Sequence, residues 1–160
     1  MRQAKPYVAL VLWFWAAAVL QQAVAERIEI KSARPDFLLV VALVSAVFYQ
    51  PRIAAVLGFV AGVLYGGIAG ADLGGYAVSL TLVAFAVGYL SGLELDVKPW
   101  YVGLTVAGGS LAAQFLMMIP APPPEIGPYV GATIFSAMYN GVLAIPIYVL
   151  IRRSLSPKDN

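Results

Sequence analysis

The chain contains no cysteine and no histidine. That excludes disulfides, thiolate nucleophiles, thiolate–zinc centres, haem ligation by histidine and imidazole base catalysis. Charge is scarce as well. Only 11% of the 160 residues are Asp, Glu, Lys or Arg, against about 25% in an ordinary soluble domain. A net charge of +2 is too small to suggest a nucleic-acid surface. No phosphate loop of the form GxxxxGK[ST] is present, so nucleotide hydrolysis by the chain itself is not expected. The apolar stretches also lack the paired carboxylates, serine–base pairs and metal ligands that catalysis requires. The expectation is a protein that is not an enzyme and needs no cofactor or metal.

What the chain has in abundance is apolar surface. Hydrophobic residues make up 61% of it, and the mean hydropathy is +0.85. A 17.0 kDa chain of this kind cannot hide its apolar residues in a water-soluble globule, so it needs lipid around it. Six apolar stretches are legible: Pro6–Ala25, Pro35–Tyr49, Pro51–Gly70, Gly75–Leu93, Pro99–Ile119 and Pro128–Ile151. A helix needs about 20 residues to cross a hydrocarbon core. The second stretch is short for this. It must be extended at its ends, thin the bilayer, or pair with the third as a re-entrant unit. Arg52 at the turn between them would be costly if buried, which favours two crossings with Arg52 in water. The expected fold is an all-α membrane bundle of six transmembrane helices, one domain over residues 1–160.

Five of the six stretches open on proline: Pro6, Pro35, Pro51, Pro99 and Pro128. Proline suits a first helical turn, where its missing N–H is not needed. Tyr7, Trp100, Tyr101 and Tyr129 follow directly, as rings favouring the interface do. The positive-inside rule then sets the orientation. With both termini cytoplasmic, Arg2, Lys5, Arg52, Lys98, Arg152, Arg153 and Lys158 lie inside, and Arg27, Lys31 and Arg34 outside. The start of the chain, basic and then apolar up to Ala23-Val24-Ala25, has the look of a cleavable signal. Its apolar run continues to Gln21–Gln22, and it is read as a retained first helix.

Small residues recur at helical spacing. Gly58, Gly62, Gly66 and Gly70 stand four apart, on one face of the third helix. Such a strip lets backbones approach closely in lipid. It either packs inside the bundle or seats a partner's transmembrane helix. A related row, Ala132, Ser136, Asn140 and Ala144, runs along the last helix. Intramembrane polar groups are few. Gln114 and Asn140 carry amides, which in lipid usually bond to a neighbouring helix. Asp36 opens the second helix, where an acid complements the helix dipole; the alternative is a proton or cation site, for which no second buried acid is evident. Pro146 frees the carbonyl of Val142 and can bend the last helix near its end. Asp72 sits in a glycine-rich turn.

Three stretches carry a family resemblance: "RPDFLLVVAL" (Arg34–Leu43), "GFVAGVLYGGIAGADLGGYAVSL" (Gly58–Leu80) and "YNGVLAIPIYVLIRR" (Tyr139–Arg153). The chain resembles the rod shape-determining protein MreD family of bacterial inner membranes. Members often carry an acid near the position of Gly66, and this chain does not. The resemblance implies a multi-pass inner-membrane subunit of the cell-elongation machinery. It would bind the bitopic protein MreC and connect indirectly to the filament MreB, to the peptidoglycan polymerase RodA and to its transpeptidase, with membrane lipids around it. It also implies a fold similar to the substrate-binding subunits of ECF-type vitamin transporters. The alternative function is therefore a substrate-binding subunit of a small-molecule transporter, with Gln114, Asn140 and the loop Glu26–Arg34 as its polar inventory.

Overall fold

The computed structural model describes residues 5–25, 27–29, 33–70, 72–93 and 97–155. Arg2, Lys31 and Lys158, which enter the orientation argument, lie outside the described residues, as do Glu26, Ile30 and Ser32 of the first loop. The described chain forms six helices: α1 (Lys5–Ala23), α2 (Phe37–Ala46), α3 (Pro51–Ala69), α4 (Leu73–Ser91), α5 (Pro99–Met117) and α6 (Ile126–Leu155). No strand pairing builds a sheet among the described residues. By length and composition, α3, α4 and α6 can each cross a membrane.

The arrangement centres on α2. Its sequence, FLLVVALVSA, is apolar on every side; a helix that is apolar all round lies either in a core or against lipid, and here it takes the core. All ten residues are buried, and Leu38, Val40, Ala42, Leu43, Val44 and Ala46 have no exposed surface at all. α2 is the axis of the bundle, and each of the other five helices packs against it. Around it, α3 packs on α4, α4 on α5, α5 on α6, and α1 closes the ring between α6 and α3.

The second apolar stretch is therefore shorter as a helix than its residue pattern suggests. Ten residues rise only about 15 Å. Pro35 and Asp36 precede the helix in non-helical conformation and are themselves buried. Pro35 thus leads into α2 and does not start it. Pro51 and Pro99 do occupy first turns. Pro128 stands in the third position of α6, which begins earlier than expected at Ile126 and runs for 30 residues. Likewise α4 starts at Leu73, so Gly74 and Gly75 lie in its first turn, with Asp72 as the cap.

α3 and α4 meet along the glycine strip. A Cβ on Gly58 would stand 2.8 Å from the Leu80 carbonyl carbon, one on Gly62 2.5 Å from the Ala77 Cα, and one on Gly66 2.6 Å from the Leu73 Cα. These are backbone-to-backbone approaches that only glycine permits. Since α4 fills the strip, a further helix has no access to Gly58, Gly62 or Gly66. Gly70 does not share this contact. It is the C-cap of α3 at φ 60°, and a Cβ added there would meet nothing within 4 Å. Its role is the left-handed termination that glycine adopts without strain. α5 and α6 cross at a second glycine pair, where a Cβ on Gly103 would meet the Gly141 carbonyl oxygen at 3.0 Å.

The buried stripe of α6 is Thr133, Ala137, Asn140, Gly141, Ala144, Tyr148 and Ile151. This differs from the row Ala132, Ser136, Asn140, Ala144. Steps of four drift around a helix of 3.6 residues per turn, so a face that stays buried alternates steps of three and four. Asn140 and Ala144 belong to both patterns.

Candidate functional site

The polar centre of the bundle lies where α2 begins. A helix start has N–H groups with no partner inside the helix, and in lipid no water replaces one. Because this start is buried, its donors need side chains. The Asp36 N–H donates to the Asn140 Oδ1 at 2.9 Å. The Phe37 N–H donates to the Gln21 Oε1 at 2.8 Å. The Leu39 N–H donates to the Asp36 Oδ1 at 2.9 Å. Three donors are thus met by amides from α6 and α1 and by the cap residue itself.

The two amides also use their other ends. The Asn140 Nδ2 donates to the Ser110 Oγ in α5 at 2.7 Å, and the Gln21 Nε2 reaches the Pro35 carbonyl oxygen at 3.4 Å. Asn140 is about 1% exposed and Asp36 about 5%. One continuous network therefore ties α1, α2, α5 and α6 at a level roughly 10 Å inside the end of α5, seven residues at about 1.5 Å each from Met117.

Asn140 and Asp36 are brought together here. Gln114 stands in a second tie between the same helices as Asn140. The Tyr129 hydroxyl lies 2.9 Å from the Gln114 carbonyl oxygen and 3.1 Å from its Oε1. The helix passes through Pro146 without interruption. Two residues on, Tyr148 stacks on Phe48 at 5.3 Å between ring centroids, and its hydroxyl donates to the Val97 carbonyl oxygen at 2.9 Å. The chain end of α6 is held again by the Trp13 Nε1, which donates to the Ser154 Oγ at 3.0 Å. Arg152 and Arg153 are exposed in its last turn. At the opposite end Asp72 caps α4, its Oδ1 accepting from the Gly75 N–H at 3.1 Å.

Gln21 and Ser110 are functional partners of this network that sequence patterning did not single out. Gln21 reads as the polar edge of the first helix, and Ser110 as one more small residue beside Gly108 and Gly109. Their only advance signal is that each is a hydrogen-bonding side chain on a mostly apolar helix.

Chemically, the network satisfies backbone donors and fixes helix positions. Among the described residues, no group of three or more His, Cys, Asp or Glu side chains is placed to hold a metal.

A six-helix bundle with three long apolar helices around a buried axial helix defines a polytopic membrane protein. The family model of the rod shape-determining protein MreD matches residues 1–120. The chain belongs to this family and is a rod-shape-determining membrane protein. The match takes in Asp36, the glycine strip, Ser110 and Gln114, while Asn140 and Pro146 lie beyond it. No curated protein and no solved structure matches the chain.

Proposed function

We infer that the chain is a non-enzymatic subunit of the bacterial rod-shape complex in the cytoplasmic membrane, with both termini in the cytoplasm. There it binds MreC and, through MreC, connects to MreB, RodA and the partner transpeptidase to organise peptidoglycan synthesis. The family match carries this reading. The interior supports it, because the buried amides of Asn140 and Gln21 are spent on capping α2 and not presented to a reacting molecule. Because α4 covers Gly58, Gly62 and Gly66, MreC meets other faces of the bundle. Depleting the protein from a rod-shaped host should round the cells, and re-expression should restore rods. Cells that keep their shape on depletion would overturn the proposal.

A further inference from the structure

Two neighbouring cavities lie between α4 and α5 at the end of the bundle that carries Asp72. The outer one is a cleft of about 480 Å³, within the size range of small-molecule sites, about 300–1,000 Å³. Its walls are Val78, Leu82, Leu116 and Ile119, with the Asp72 turn at the rim. Val78, Leu82 and Ile119 are exposed on the outside of the bundle, so the cleft opens sideways, toward lipid. The inner cavity holds about 10 Å³, room for roughly one water-sized group. It is lined by Asp36, Tyr76, Ser79 and Gln114 together with Leu80 and Met117. Ser79 lines both cavities.

Among the described residues, the charge lining this pair of cavities has one sign. Asp36 is buried to all but 5% of its surface, and among the described residues no cation forms an ion pair with it. One carboxylate oxygen accepts from the Leu39 N–H. Among the described residues no Lys or Arg lines either cavity, and Asp72 adds a second acid at the rim. Backbone N–H groups of Leu39 and Leu38 already face the Asp36 carboxylate, but they do not neutralise its charge, and a buried charge calls for a counterion. The apolar cleft leading toward it calls for a hydrocarbon body. We propose that the α4–α5 cleft binds a membrane amphiphile with a primary-ammonium head, its chain along Val78, Leu82 and Leu116 and its head directed past Ser79 toward Asp36. This site is independent of which proteins the bundle assembles with.

The test uses the full chain purified in a maltoside detergent, with four probes: dodecylammonium, dodecanol, dodecanoate and propylammonium. Saturable stabilisation against heat is the readout. Dodecylammonium should bind about tenfold tighter than dodecanol, the scale of one charge-assisted hydrogen bond. Dodecanoate and propylammonium should show no saturable effect. Asp36→Asn should remove the preference for the amine while leaving α2 capped, because Asn serves as an N-cap as well as Asp does. Leu116→Trp, which keeps the carboxylate but fills the cleft, should abolish the response to dodecylammonium. Equal binding of amine and alcohol, a preference that survives Asp36→Asn, a response that survives Leu116→Trp, or propylammonium binding as well as dodecylammonium would each overturn the proposal. The last would mean a diffusible amine and not a lipid.

Discussion

Replacing Asn140 by alanine probes the centre of the bundle. The amide joins a backbone donor at the start of α2 to a hydroxyl on α5. Alanine removes both bonds at once. The Asp36 N–H is buried, and orphaning such a donor costs about 1–3 kcal/mol. An interhelical side-chain bond in a membrane protein contributes about 0.6 kcal/mol on average and up to about 1.7. The sum is about 2–4 kcal/mol. At about 2–4 °C per kcal/mol for a domain of this size, the melting temperature of the purified protein should fall by about 5–15 °C. A second variant, Ser110→Ala, isolates one arm. The double mutant should be less destabilised than the sum of the singles by about 0.5–1.5 kcal/mol, since both singles break the same bond. An Asn140→Ala protein that melts within about 1 °C of wild type, with additive single and double mutants, would refute the idea that this amide holds the start of α2.

Other substitutions separate the roles of individual residues. Gln21→Leu should cost about 1–2 kcal/mol by stranding the Phe37 N–H, measured by the same melts. Gly62→Ala should be strongly destabilising because its Cβ would press on the α4 backbone, whereas Gly67→Ala, in the same helix with nothing within 4 Å, should be stabilising by up to about 1 kcal/mol through helix propensity. Equal effects at the two positions would show that the strip is not an α3–α4 contact. Gly70→Ala should cost about 1 kcal/mol, because a side chain there must adopt a left-handed conformation.

Much of the fold was legible in the residue pattern. Six helices are expected and six form among the described residues, with α3 and α5 starting at the prolines that mark them. The apolar run Phe37–Ala46 is compatible with its central place but does not dictate it, since a helix with no polar face can also lie against lipid. Its true length was not legible. Hydropathy continues past Ala46 to Tyr49, but the helix stops where the chain turns toward Pro51. The amides were visible as unusual groups, and Asp36 as a helix-start acid. Their pairing was not, because Asp36 and Asn140 are 104 residues apart and only the packing of α6 beside α2 brings them together. The glycine strip was visible as a contact surface, yet a row of small residues looks the same whether it faces a neighbour in the bundle or a partner. The cleft between α4 and α5 left no trace in the pattern, since its walls are ordinary apolar residues.

Whether this bundle serves the rod-shape complex through MreC is settled by affinity purification of the tagged full chain from native membranes, solubilised gently, with its partners identified by mass spectrometry. MreC should be recovered in stoichiometric amounts, with MreB, RodA and the transpeptidase in lesser yield. Recovery of a transporter ATPase module in place of MreC would contradict that role.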